Sequence, residues 1–385
     1  MLWRTILISL KACCVLPPGE KCSCRHPTIT IAVARDAGVE GMTLMKSLGR
    51  SIGPIRKLHD NRNALAKALL VAEQRIRDLE NQVEAIRGTP FFAYYANFDA
   101  LECMRRHEVH DRKLTPGFQT NWLGVLVDPK ILPFLADQGG KLDHFPLPAN
   151  WHADIAEWAS ALHAVELARP DTFTMIELGC GWGCWMNNTG MAAKRTGRKV
   201  HVIGIEGDEG HLEFAREALA RNGFAQGEYT LYRGVAAASA GSALFPRQEH
   251  AGHSWGLEPV FGATKEQQDE AVANGSHDIL PMISLESAIG DRDRIDLLHI
   301  DIQGGEAALI ESCLSLLNEK VAYVLIGTHS KHIEGRLYDI LTPAGWLIEM
   351  ERPAFYQVKN WIPELIVDGV QAWRNPRFVP PGSIQ

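Results

Sequence analysis

Apolar positions in this chain change rhythm at about residue 170, and that change separates two kinds of structure. Upstream, Ile55, Leu58, Arg62, Leu65, Leu69, Ala72, Ile76, Leu79, Val83 and Ile86 keep alternating spacings of three and four, with charged and amide residues such as Glu73, Arg75 and Glu80 between them. That is a heptad pattern, and it predicts a coiled-coil helix over 55–87. Arg62 falls at a core position, where it aligns a pair of helices at some cost in stability, so a homodimer is expected. Gly88-Thr89-Pro90 ends the helix. Downstream of 170, short apolar runs alternate with helical periodicity. Strands are expected around Met175–Leu178, Val200–Glu206, Tyr229–Val235, Ile295–Asp301, Val321–Ile326, Trp346–Met350 and Gly369–Trp373, with helices near Glu306–Asn318 and Ile333–Leu341. Strands alternating with helices predict an α/β fold with a mostly parallel sheet covered on both faces.

Four domains follow from this pattern. Residues 1–54 read as a poorly structured segment, which could precede a start at Met42. Residues 55–87 form the coiled-coil helix, and 88–170 a helical, loop-rich segment that caps the site, its clearest helix being Trp151–Ala168. Residues 171–385 form the cofactor-binding domain. Between the third and fourth strands, an insertion over about 237–281 reads as a lid or substrate loop.

Chemistry concentrates at the carboxyl ends of the strands, where open α/β sheets collect ligands. Glu177 is followed by Gly179, Gly181 and Gly183, a turn built for close approach of a ligand to backbone. Cys184 stands where a dinucleotide fingerprint has its third glycine, and no Gly-Lys-Ser/Thr follows to make a phosphate loop. Glu206 ends the second strand, where a carboxylate accepts hydrogen bonds from ribose hydroxyls, and Gly207 opens the next turn. This arrangement serves NAD or S-adenosylmethionine. Glu177 favours the second, since a buried carboxylate suits an ammonium and a sulfonium but repels a pyrophosphate.

Composition narrows the function classes. The chain has 385 residues and a formal net charge of −7, which gives no reason to expect nucleic acid as a partner. No apolar run reaches the roughly eighteen residues of a membrane span, and the weakly signal-like start is interrupted by Lys11 without a cleavage site, so a cytoplasmic protein is expected. Cys13, Cys14, Cys22 and Cys24 crowd the N-terminus without paired knuckles. Cys103, Cys180, Cys184 and Cys313 are scattered and read as small buried thiols.

Four stretches carry a family resemblance: Ile176-Glu177-Leu178-Gly179-Cys180-Gly181-Trp182-Gly183, Gly204-Ile205-Glu206, Ile283-Ser284-Leu285-Glu286-Ser287 and, most specifically, Leu298-His299-Ile300-Asp301-Ile302-Gln303-Gly304-Gly305-Glu306. Together they resemble the FkbM-type S-adenosylmethionine-dependent methyltransferases over roughly residues 171–375. The resemblance implies a class I (Rossmann-like) seven-stranded sheet, mostly parallel, with its last strand antiparallel. It also implies O-methylation of a sugar or other small hydroxylated metabolite. Cys180-Gly181 stand where many members carry Ala-Asn, and Gln303 replaces a glutamate.

On this reading Glu177, Gly179, Gly181, Gly183, Glu206, Gly207 and Asp301 bind the cofactor. His329, after the fifth strand, is the first candidate for general base, with Asp301 second and His253 of the insertion third. Trp255 and His250 of the insertion are expected to contact the substrate, Trp255 by stacking on a sugar face. The fifth strand ends in Thr328-His329 rather than in two acids, so a divalent cation is not favoured and no metal ligand is assigned. His107, His110 and His152 are left without a role. The other classes to exclude are an NAD-dependent enzyme and a non-catalytic dimeric scaffold with a degenerate site.

Overall fold

Why the apolar runs become strands is clear from where they lie in the computed structural model, which describes residues 89–250 and 252–380 and a few helical positions between 60 and 69. The chain divides into two compact units, Met1–Glu84 and Ala85–Gln385. In the first, Leu65 and Leu69 of the heptad pattern are helical and exposed. The rest of the heptad pattern, and the coiled coil and dimer expected from it, lie outside the described residues.

The second unit opens with β1 (Tyr95–Ala96), α1 (Ala100–His107), β2 (Gln119–Thr120), β3 (Leu126–Val127) and α2 (Ile155–Leu167). The alternating pattern then runs β4 (Thr172–Leu178), α3 (Cys184–Arg195), β5 (Lys199–Glu206), α4 (Glu209–Arg221), β6 (Tyr229–Arg233). Next come β7 (Val235–Ala237), β8 (Gly241–Pro246), β9 (Val260–Phe261), α5 (Lys265–Ala273) and β10 (His277–Ser284). The chain continues through α6 (Leu285–Ile289), β11 (Leu297–Ile300), α7 (Glu306–Lys320), β12 (Tyr323–Thr328) and α8 (Lys331–Leu341). It closes with β13 (Leu347–Arg352), β14 (Phe355–Lys359), β15 (Ile362–Val367) and β16 (Gly369–Arg374).

The main sheet has the order β1-β13-β16-β12-β11-β4-β5-β6. Strands β12, β11, β4, β5 and β6 pair in parallel, and β16 runs antiparallel to both β12 and β13. Seven strands and the antiparallel last strand are as expected. The eighth, β1, is a two-residue edge strand pairing Tyr95 with Glu351. Period-two alternation divides β4 between two cores: Phe173 and Met175 pack with the tryptophans of the cap segment, whereas Ile176 and Leu178 pack beneath α7 and α8. Pairing His299 with Glu177 puts both side chains on the cap-facing side.

Two parts of the architecture differ from expectation. The third strand breaks at Gly234, where a Cβ would lie 2.6 Å from the Pro281 carbonyl oxygen. Beyond that break β7 joins β10, β8 and β9 in a separate four-stranded sheet. The insertion is therefore a built layer with its own small core of Val235, Ala243, Phe245 and Leu280. Helix α2 begins at Ile155 rather than Trp151, because Asp154 accepts from Ala156 and Glu157 N–H while Glu157 reaches back to Asp154 N–H. Buried Asp154 is also paired with Arg352 at 2.6 Å, which ties the start of α2 to β13.

Candidate functional site

Each of the three glycines after β4 sits in the left-handed region, at φ +72° for Gly179, +52° for Gly181 and +74° for Gly183. Side chains are excluded there twice over. A Cβ on Gly179 would lie 2.1 Å from the Asp301 carbonyl oxygen, and one on Gly181 would lie 2.8 Å from the Trp255 ring. Gly179→Ala combines an unfavourable backbone, about 1–2 kcal/mol, with overlap against main chain, roughly 1–3 kcal/mol. Thermal unfolding should therefore drop by on the order of 10 °C. A drop under about 2 °C would mean that the Asp301 carbonyl moves aside freely.

The carboxylates behind this turn are buried. Glu206 accepts from Gly181 N–H and Asp208 N–H, both at 2.8 Å, and burial raises its carboxyl to about 6. Glu177 accepts from Met186 N–H at 2.9 Å and Trp185 N–H at 3.3 Å, so it caps the first turn of α3. Burial, with Asp301 and Glu206 nearby, pushes Glu177 up to about 8 despite those two bonds.

These groups line a cavity of about 1080 Å³. Glu177, Glu206, Glu258 and Asp301 are its acids, and among the described residues no lysine or arginine lines it. Gly207 is in its wall beneath the Phe245 ring. The insertion supplies Trp255, whose ring stacks on His211 at 3.9 Å with its indole N–H donated to the Gly252 carbonyl. The cap segment supplies Trp151 and His152, opposite Trp182 and Trp185. The indole N–H of buried Trp182 and Nδ1 of buried His299 have no hydrogen-bond partner among the described residues.

The three expected bases separate. Asp301 lies in the cavity wall, its Oδ1 accepting from Gln303 Nε2. His329 lies behind it and does not line the cavity. Its Nε2 is 3.2 Å from Asp301 Oδ1 and its Nδ1 3.0 Å from Glu306 Oε1. Burial would lower its pKa, but the two carboxylates raise it to about 10. A doubly bound imidazolium has no free lone pair to take a proton, so the geometry speaks against His329 as base. Asp301 in turn is held below the usual carboxylate range: burial raises it, but the hydrogen bond and charge of His329, with His299 and His152, together lower it further. Asp301, Glu306 and His329 offer ligand atoms within 4.8 Å of one another, with His329 bonded to both carboxylates. His250 and His253 are exposed, pack edge to face and do not reach the cavity wall.

His152 and His299, which the motifs did not single out for chemistry, do line the cavity. Burial holds both at about 4, so both are neutral at physiological pH. Both rings lie against Trp185, at 5.6 and 5.5 Å between centroids. His299 stood inside the most specific motif, and His152 follows a tryptophan just before a helix cap. Neither position carried a signal in spacing.

A sheet of this order, with a glycine turn and an acid at the ends of its first two core strands, defines a class I methyltransferase domain. No protein-family model matches the chain. A protein of Jannaschia sp. (strain CCS1) named "Putative methyltransferase" is 43% identical over 279 residues, 72% of this chain and 99% of that protein. The chain belongs to this methyltransferase family. Among solved structures, ribosomal protein L11 methylase from Lactobacillus delbrueckii subsp. bulgaricus aligns at 14% identity and TM-score 0.32 over 65% of this chain and 92% of that one. Methyltransferase FkbM from Methylobacillus flagellatus KT aligns at 14% and 0.35 over 57% of this chain and 54% of that one. Both likenesses are distant, and the class rests on this chain's own strand order. No helix among the described residues is long and apolar enough to cross a membrane.

Proposed function

We propose that this chain is an FkbM-type O-methyltransferase that uses S-adenosylmethionine to methylate a hydroxyl of a small, uncharged acceptor such as a sugar. The observation that carries this reading is the meeting of Glu206, Glu177 and the left-handed Gly179 and Gly181 at one cavity edge with no lysine or arginine among the described residues that line it, Gly183 packing behind the turn against Met186 and Asn187. A dinucleotide would bring its pyrophosphate against those carboxylates with no lysine or arginine to receive it. Phosphorylated acceptors are disfavoured for the same reason.

S-adenosylmethionine supplies a methyl group activated on a sulfonium. The residues fit it: Glu206 retains acceptor capacity for ribose hydroxyls, and the glycines leave room for the nucleoside and methionine ends. Trp151 and Trp182 offer apolar faces to a ring-shaped acceptor. His152, neutral and open to the cavity, is positioned to take the hydroxyl proton as the oxygen–carbon bond forms and the carbon–sulfur bond breaks.

Calorimetric titration tests the cofactor. S-adenosylmethionine should bind and NAD should not, and the pH dependence has a definite sign. Below about 8 the Glu177 carboxyl of the empty protein is largely protonated, and a cationic ligand favours its ionised form. Binding then releases a proton, so affinity should rise with pH by up to roughly tenfold per unit towards pH 8 and level off above it. The same upward shift makes the empty protein lose stability as pH climbs from the ordinary carboxylate range to about 8. Absence of S-adenosylmethionine binding at pH 8 would overturn the reading.

A further inference from the structure

Away from the cavity, α1 and α2 bring together four side chains that methyl transfer does not use. Cys103 and His107 stand four apart on α1, and His163 and Glu166 three apart on α2, so each pair shares a helix face. Cys103 is fully buried, and the His107 and His163 side chains are 9% and 8% exposed. His107 Nε2 lies 3.3 Å from Glu166 Oε1 and His163 Nδ1 lies 3.7 Å from Oε2, yet neither nitrogen completes a hydrogen bond. Two buried imidazole nitrogens thus converge on one carboxylate beside a thiol without an aligned hydrogen bond. The ligand atoms of Cys103, His163 and Glu166 all lie within 4.8 Å of one another.

The surroundings prepare these groups as ligands. His163 Nε2 is 3.1 Å from Glu349 Oε2, and Glu349 is paired with Arg374 at 2.9 Å. The Glu349 carboxylate would hold the Nε2 proton while Nδ1 gives up its own to a metal, the arrangement that backs metal-bound histidines. Arg106 meets both Glu166 oxygens from the solvent side, at 2.8 and 2.9 Å, and can keep one of them while the other coordinates.

We propose that Cys103, His107, His163 and Glu166 form a binding site for a divalent transition metal, with zinc the best match, that clamps α1 to α2. One thiolate, two imidazoles and a carboxylate make a four-coordinate set of intermediate softness, which suits zinc over magnesium or calcium. Ligands at about 2.0–2.3 Å from zinc stand roughly 3–4 Å from one another, so Cys103, His163 and Glu166 would draw together by about an ångström and His107, 3.3 Å from Glu166 but outside that cluster, would turn in as the fourth ligand. Coordination sends the Cys103 thiol proton, and any proton on His163 Nδ1, to solvent. The clamp would brace the cap segment that carries Trp151 and His152 just ahead of α2.

Cobalt reads the thiolate directly. The full-length chain, with Cys13, Cys14, Cys22 and Cys24 replaced by serine to remove competing thiols, is treated with chelator and titrated with Co²⁺. A thiolate-to-cobalt charge-transfer band should saturate at one equivalent. Adding Cys103→Ser should abolish the band, and His163→Gln should weaken cobalt binding at least tenfold. Asp301, Glu306 and His329 contain no thiol and cannot produce that band. Circular dichroism and S-adenosylmethionine affinity should be unchanged by Cys103→Ser, which separates loss of the site from loss of the fold. No band in the parent chain at saturating cobalt, or a band that survives Cys103→Ser, would overturn the proposal.

Discussion

Glu206→Ala is expected to weaken S-adenosylmethionine binding by at least about 100-fold. The carboxylate is buried at the end of β5 and faces the cavity. Each hydrogen bond from a ribose hydroxyl to a charged acceptor contributes roughly 1.5–3 kcal/mol, and alanine removes both together. It also releases the Gly181 and Asp208 amides that the carboxylate now holds, which loosens the glycine turn itself. Glu206→Gln separates the two effects. An amide keeps one oxygen but turns an NH₂ group towards a backbone N–H, so its loss should fall between those of wild type and alanine. Calorimetry on the three proteins at pH 8 provides the comparison. Binding by the alanine variant within threefold of wild type would mean that the ribose is not held at Glu206.

How much of this could be read from sequence depends on whether a feature is local. Gly179, Gly181 and Gly183 were legible because left-handed backbone and close approach leave glycine as the residue that fits. Core strands such as Val202–Ile205 were legible because strands buried on both faces carry near-continuous apolar runs. The cap Asp154-x-x-Glu157 was equally present, yet Trp151 stands four residues before Ile155 and seven before Trp158, a helical spacing that set the helix start too early. The insertion sheet was not legible: β7 and β9 are three and two residues long, and their pairing depends on the break at Gly234. His329 shows the same limit in the site. Its place after β12 follows from the strand pattern, but its chemistry is decided by Glu306, a distant residue that occupies its second nitrogen. His299 and Glu177 become neighbours only through the pairing of β11 with β4.

Those non-local contacts decide the second large effect. His152→Ala is expected to lower kcat by roughly 10²–10⁴-fold, the range for removing a positioned proton acceptor, while S-adenosylmethionine affinity stays within about twofold. The assay is release of S-adenosylhomocysteine with the best acceptor from a panel of uncharged glycosides and phenols. The competing assignment, His329, predicts the same loss at a different place, and protonation separates the two. An imidazole held at about 4 is neutral at any working pH, weakly basic but always available. One raised to about 10 between two carboxylates would be available only in strongly alkaline solution. A His329 base would therefore give activity rising tenfold per pH unit up to about 10, whereas a His152 base leaves the neutral range free of that slope. His329→Gln also bears on the question, since it removes the charge beside Asp301 and should let that carboxyl's pKa rise. Its effect should then appear as a shifted acid limb with kcat largely kept at pH 8. Full activity in His152→Ala would remove the base from the cap segment and leave Asp301, the one of the three expected bases that lies in the cavity wall, as the next acceptor to test.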